Sequence, residues 1–290
     1  MTHTIGIFYF SGTGNTRLVA HLFEEELERR DVEVDVLAIE DILQENRVPD
    51  VEKYDMIGIG YTVHALNAPR IVFDFLNRLP AVTQKNVFLF KCPGDPLMQG
   101  GSTSMLRNRL QSRGYAVFHE SLLVMPANVF ISFHERLVKQ LYEAARCHTK
   151  TIVGDILAGK IRLQKNSPFL RALTRIFSSL ESVGVRLLGR TFRVSSACSH
   201  CLRCVELCPT KNISHGQHGI RFHGNCLMCV RCVYACPQSA ISPGFFRFFV
   251  FKNGYNIQPI IEDSSLSGDY LSEHTTGFFK HYYQDYLKKT

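Results

Sequence analysis

IFYFSGTGNTRLVA, residues 7–20, decides the fold class. An apolar and aromatic run enters Ser11-Gly12-Thr13-Gly14, and the chain leaves through Asn15 and Thr16 into a segment whose apolar residues recur every three to four positions. A strand, a tight turn and an amphipathic helix form the opening unit of a parallel α/β sheet. Gly12 and Gly14 allow the backbone to curl so that N–H groups point inward, and the following helix presents the positive end of its dipole to the same point. A phosphate fits there, with Ser11, Thr13, Asn15 and Thr16 as short side-chain donors. A dinucleotide fingerprint would need a third glycine where Arg17 stands, and the Gly-Lys-Ser/Thr of a triphosphate loop is missing.

The same alternation continues. Strands are predicted at 3–10, 32–39, 55–61, 86–92 and 115–125, nearly continuous in hydrophobicity, as befits strands covered on both faces. Helices are predicted at 15–30, with Leu18, Val19, Leu22, Phe23 and Leu27 on one stripe, and at 69–79, with Pro69 at the first helical position. Five such units predict an α/β domain with a doubly wound five-stranded parallel sheet over residues 1–158, complete without the rest of the chain.

IFYFSGTGNTRLVA resembles the flavodoxin fingerprint, and the resemblance covers residues 1–158. It implies flavin mononucleotide (FMN), with the phosphate in the loop 11–16 and the isoalloxazine ring clasped by the loops after the third and fourth strands. Those loops are YTVHALNAP, with Tyr61, Thr62, Val63, His64, Ala65 and Asn67, and KCPGD, comprising Lys91, Cys92, Pro93, Gly94 and Asp95. Pro69 and Pro93 stiffen them, Gly94 permits close approach to a flat ring, and backbone amides of 63–65 would set the protonation of the central ring. Where many flavodoxins place an aromatic over the flavin, Tyr61 and His64 are the candidates. His64 also reads as a locally bonded loop histidine, Cys92 as a small buried hydrophobe, and Asn128 either as part of the flavin edge or as a turn residue.

At 45% hydrophobic and 20% charged, 290 residues suffice for one full core and a smaller second unit. The start MTHTIGIFYF has no basic leader or cleavage site, and no apolar run approaches the roughly 18 residues of a membrane span, so a cytoplasmic protein is expected. Eight of the ten cysteines lie in two dense arrays, which in a reducing compartment hold metal; only Cys92 and Cys147 stand apart. The formal charge of +7 counts those thiols as neutral. Two oxidised four-iron sites at about −2 each and a flavin phosphate at about −2 would leave roughly +1, so most of the excess reads as cofactor compensation and nucleic acid is not an expected partner.

Asn166, Ser167 and Pro168 break the pattern before a connecting segment, 159–194, in which Phe169, Leu173, Ile176, Phe177, Leu180, Val183 and Leu187 fall at helical spacing and Arg171, Arg175, Arg186 and Arg190 fall largely elsewhere. This basic amphipathic helix is expected to pack its apolar stripe on the larger domain rather than lie on a membrane. FFRFFVF, 245–251, reads as an aromatic strand for interdomain packing, and the extension 244–290 carries no readable motif.

CSHCLRCVELCPTKNI (198–213) and CLMCVRCVYACPQSAI (226–241) align at an offset of 28, sharing four cysteines, an arginine, a valine, a proline and an isoleucine: an internal duplication. Three cysteines spaced CxxCxxC wrap one corner of a cubane, and the fourth, three residues on and followed by proline, must reach elsewhere. Segment 195–243 closely resembles the bacterial two-cluster ferredoxins. The resemblance implies two 4Fe-4S clusters with crossed ligation: one on Cys198, Cys201, Cys204 and Cys236, the other on Cys226, Cys229, Cys232 and Cys208. As a whole, the chain resembles the flavodoxin–ferredoxin fusions of anaerobes. That resemblance implies an FMN and iron–sulfur oxidoreductase exchanging electrons between a ferredoxin-like redox partner and an unidentified acceptor, with a small-molecule acceptor and a homodimer left open. A pure carrier without a substrate pocket is the alternative.

Overall fold

The computed structural model describes residues 3–64, 66–97, 102–165 and 168–289. Strands β1 (Thr4–Phe10), β2 (Glu33–Ala38), β3 (Met56–Thr62), β4 (Lys85–Cys92) and β5 (Tyr115–Leu122) form one sheet in the order β2-β1-β3-β4-β5, every neighbouring pair parallel. They alternate with helices α1 (Asn15–Glu28), α2 (Ile39–Gln44), α3 (Arg70–Arg78), α4 (Ser102–Gln111) and α5 (Glu135–Leu157). This is the flavodoxin-like doubly wound order, in which the chain reverses direction across the sheet between β1 and β3 and opens a crevice beyond their carboxyl ends.

Two apolar layers sandwich the sheet. Val19, Leu22 and Phe23 of α1 meet Leu137, Leu141 and Val153 of α5 on one face; Ile42 of α2, Phe75 of α3 and Leu106 of α4 pack on the other. The expectation of two-sided cover fails at β2, none of whose residues is buried, because it is the edge strand and carries Glu33 and Asp35. Pro69 caps α3 in extended conformation rather than opening it.

The expectation that residues 1–158 stand alone is corrected by the C-terminal extension. Its short helices α9 (Gln258–Glu262) and α10 (Lys280–Asp285) follow a 3-10 turn at Gly244–Phe248, which replaces the aromatic strand expected at 245–251. Ile257, Leu271, Tyr282, Tyr286 and Leu287 are buried in the same core as α1 and α5. Residues distant in sequence therefore complete the hydrophobic layer.

The connecting segment begins by pairing with the sheet: Arg162 exchanges backbone hydrogen bonds with Phe118 and Glu120 beside β5, at 2.9 and 2.8 Å. It continues as α6 (Pro168–Gly189). The expected docking of the apolar stripe is inverted. Thr174 is buried, the Ser178 hydroxyl accepts a 2.7 Å hydrogen bond from Asn67, and Phe169, Ile176, Phe177, Leu180, Val183 and Leu187 face outward. Asn166 and Ser167, and the side chains of Arg171 and Leu173, lie outside the described residues.

The cysteine domain is small and doubled. β6 (Arg193–Val194) pairs antiparallel with β9 (Ile241–Ser242), β7 (Ile213–Gly216) pairs with β8 (Gly219–Phe222), and one-turn helices α7 (Arg203–Glu206) and α8 (Arg231–Tyr234) occupy equivalent places in the two repeats.

Candidate functional site

A cavity of about 730 Å³ opens at the carboxyl ends of β1, β3 and β4, in the size range of cofactor pockets. Ser11, Gly12, Thr13, Asn15 and Thr16 line it. Gly14 sits at φ 113° as the N-cap of α1, a conformation costly for any residue with a side chain, and its N–H donates to Ser11 Oγ at 3.1 Å. Thr13 Oγ1 accepts from Asn128 Nδ2 at 2.8 Å, which frees its own proton for the cavity. The buried Thr16 hydroxyl has no hydrogen-bond partner, with only the Cys92 thiol beside it. Thr16 lies in the first turn of the helix whose N-terminus borders the cavity, and a buried hydroxyl without a partner at that place fits an anionic oxygen seated there. Asn15 differs from expectation: its amide donates to Pro126 O at 2.8 Å and accepts from the Tyr255 hydroxyl at 2.7 Å, so it braces the loop.

Of the residues expected to clasp a flavin ring, Thr62, Val63, His64, Cys92, Pro93, Gly94 and Asp95 line the cavity. Tyr61 and Lys91 are corrected. Tyr61 is fully buried in the core on the α3 side, and Lys91 Nζ donates to Gln164 Oε1 at 2.7 Å, because alternate side chains of a strand point to opposite faces. Asn67 is also corrected: it closes a tight turn with His64 and spends its side chain on Ser178, away from the cavity. Ala65 lies outside the described residues. Gly94 also packs closely on Ala127, whose atoms a Cβ would meet at 3.1 Å. Burial lowers the His64 imidazole to about 4, so at neutral pH it carries no charge.

Sequence reasoning missed the aromatic side of the cavity. Phe130 and Phe133 enter from the loop after β5, Phe246 from the 3-10 turn and Phe249 from the residue that caps it, and Phe278 and Tyr282 from the C-terminal extension. Tyr282 Oη donates to Gly94 O at 2.7 Å, and His281 Nε2 lies 2.8 Å from Asp95 Oδ2, fastening the extension to the loop after β4. The aromatic density of 278–283 was the available signal, but it carried no spacing that assigned it to this site.

The second cysteine array forms the remaining wall. Met228, Cys229 and Val230 line the cavity, and a Cβ placed on Gly12 would lie 3.3 Å from Cys229. Arg231 fastens this contact. Its guanidinium donates to Gly12 O (3.0 Å), Ser11 O (2.5 Å), Leu207 O (3.1 Å) and Glu40 Oε1 (2.6 Å). Gln44 adds hydrogen bonds to Cys208 O and Pro209 O, and Leu227 is buried in the core of the α/β domain.

The backbone repeats the duplication. His200 and Met228, Leu202 and Val230, and Lys211 and Ser239 are pairs at an offset of 28, all left-handed. Such φ values are strained for non-glycine residues, most of all for β-branched Val230. They curl N–H groups towards sulfur: Asn212 N donates to Cys208 Sγ at 3.2 Å and Ala240 N to Cys236 Sγ at 3.3 Å, the same bond in each repeat. Electrostatically, Cys204 feels Cys198 and Cys236, whereas Cys226 feels Cys229 and Cys208. Each array thus meets the fourth cysteine of the other. Burial pushes the Cys226 thiol up to about 12, so its thiolate form needs a cation beside it. Among the described residues, no three His, Cys, Asp or Glu side chains close on one point as a single ion would require.

A flavodoxin-domain family model matches residues 6–117, and a 4Fe-4S dicluster-domain model matches residues 190–237. An uncharacterised protein of Methanocaldococcus jannaschii is 27% identical over 107 residues, which is 37% of this chain and 64% of that protein, short of two thirds of its length. Among solved structures, Megasphaera elsdenii flavodoxin is 28% identical with TM-score 0.37, covering 49% of this chain and 98% of its own. Rubredoxin oxygen:oxidoreductase of Desulfovibrio gigas is 18% identical with TM-score 0.39, covering 55% of this chain and 37% of its own.

Proposed function

We propose, from the premise that this chain is a fusion of a flavodoxin domain with a 4Fe-4S dicluster domain, that it is an oxidoreductase coupling two 4Fe-4S clusters to one FMN. Its redox partner is a low-potential ferredoxin-type protein, and its acceptor is a further protein or a small molecule. When bound, the clusters supply single-electron chemistry and the flavin one- or two-electron chemistry, which makes an FMN and iron–sulfur electron-transfer protein a converter between the two. One observation carries the reading: Cys229 abuts the Gly12 turn, and its neighbours wall the flavin cavity. Cys208, Cys226, Cys229 and Cys232 are therefore the inner set. Cys198, Cys201, Cys204 and Cys236 are the outer set, with Cys201 exposed to a partner.

The chain's own residues do three things here. Arg231 and Gln44 hold the inner set against the phosphate turn. Val230 and Leu227, both buried, exclude water between them. Thr13, Thr16 and the α1 N-terminus neutralise the phosphate without a basic side chain. The carrier reading gains support from the extension, whose Tyr282 and His281 are bonded across the loop after β4.

The test uses the full, anaerobically loaded protein, which should carry about eight iron and eight sulfide per FMN. With reduced ferredoxin as donor, Cys201→Ser should slow flavin bleaching by roughly tenfold or more in stopped flow, while dithionite still reduces the flavin and FMN content is unchanged. Unaltered ferredoxin rates in a variant that has lost the outer cluster would refute the supply route.

A further inference from the structure

We propose that the outward face of α6, together with the aromatic turn at Gly244–Phe248, seats this protein on an anionic lipid surface. No helix among the described residues is long and apolar enough to cross a membrane, so the contact is with the bilayer's face.

The geometry of the helix is the first ground. At about 100° per residue, Phe169, Ile176, Leu180, Val183 and Leu187 fall within a sector of roughly 60°, opposite Thr174, Ser178 and Val185. The structure places Thr174, Ser178 and Val185 against the protein and leaves the apolar sector 57–76% exposed. The protein therefore docks this helix by its smaller, more polar face and turns aliphatic and aromatic side chains to solvent. That arrangement persists only where something apolar covers it. Gly244 lies against Thr191, just past the end of α6, so the 3-10 turn adjoins the helix, and it adds Phe245 and Phe248, 75% and 67% exposed.

Charge identifies the cover. Residues 160–193 hold eight Lys and Arg against the single acid Glu181, a surplus of seven that equals the formal charge of the whole chain. Everywhere else 25 basic residues face 25 acidic ones. The excess is thus gathered on one segment rather than spread around the cofactors it was expected to compensate. Arg175, Arg186 and Arg190 are exposed along one border of the apolar sector, where long stems can lie beside acyl chains while the guanidinium groups reach phosphates. A convex apolar ridge bordered by arginine suits a plane of mixed hydrocarbon and anionic headgroups. A protein partner would instead need a matching groove to reach the complementarity of a stable interface.

The experiment is vesicle co-sedimentation of the full, cofactor-loaded chain, using phosphatidylcholine alone and phosphatidylcholine with about one-third phosphatidylglycerol. Binding should appear on the anionic vesicles, fall at high salt, and be weak on the neutral ones. Ile176→Gln, Leu180→Gln and Leu187→Gln combined should lower it by at least about tenfold, with iron and FMN content unchanged, because these side chains touch neither the cavity nor the core. Three results would overturn the proposal. One is failure to bind anionic vesicles. Another is a dimer in solution that the triple variant converts to monomer, which would make a second copy the cover. The third is loss of ferredoxin-dependent reduction in the triple variant with vesicle binding unchanged, which would make the face a docking site for the redox partner.

Discussion

Thr16 is the residue on which the proposed phosphate site turns. Its hydroxyl is buried without a hydrogen-bond partner, at the first turn of a helix whose N-cap, Gly14, takes a backbone conformation that strains other residues. A hydrogen bond to a charged group contributes about 1.5–3 kcal/mol, so Thr16→Ala should weaken FMN binding roughly 10- to 100-fold, and Thr16→Ser should restore most of it. Equal flavin affinity in Thr16→Ala, read by fluorescence titration of the apoprotein, would place the phosphate elsewhere. His64 carries a pH consequence. Burial holds its imidazole at about 4, whereas an unfolded histidine titrates near 6.5, so between those values the unfolded chain binds the extra proton. The associated stability is present above about pH 6.5 and is lost as pH falls towards 4, by at most about 3 kcal/mol. Denaturant melts at several pH values should show that slope, and His64→Gln should flatten it.

Among the elements, the paired cysteine loops are the most constrained. Left-handed backbone at three pairs of equivalent non-glycine positions is strain the fold accepts in order to aim N–H groups at sulfur. Because Cys226, Cys229 and Cys232 each feel the charge of Cys208, Cys208→Ser should damage the cluster built on those three before the one adjacent in sequence. Paramagnetic resonance of the reduced variant separates the outcomes: loss of the set on Cys198, Cys201 and Cys204 instead would mean two independent local sites. The neighbouring helix α6 is equally constrained at its end, where a Cβ on Gly189 would overlap the Cys226 side chain.

Across the molecule, the C-terminal extension belongs to the hydrophobic core. Five of its residues are buried with α1 and α5, and at about 2 kcal/mol for each large apolar side chain that burial contributes on the order of 10 kcal/mol, comparable to the entire stability of an ordinary domain. A chain ending at 243 should therefore lose cooperative thermal unfolding and release FMN, even though all five strands of the sheet remain. Retention of a sharp transition and a full complement of FMN by that truncation would show that the extension only decorates the domain.

What local pattern dictates was legible without coordinates. The strand, glycine turn and helix at 7–20, the five-strand alternation and the doubled cysteine arrays all rest on short-range spacing, and the sheet order and the two family matches agree with them. What depended on distant partners was not. Which face of a strand Tyr61 and Lys91 point to depends on register, the use of Asn15 as a brace depends on Tyr255, and the aromatic wall of the cavity comes from segments more than a hundred residues beyond the phosphate turn. Helical spacing in 169–187 specified an amphipathic helix correctly but could not say which side would meet the protein. Periodicity records only that two faces differ; which face is covered was decided by the small side chains that let the helix approach Asn67 and Cys226 closely.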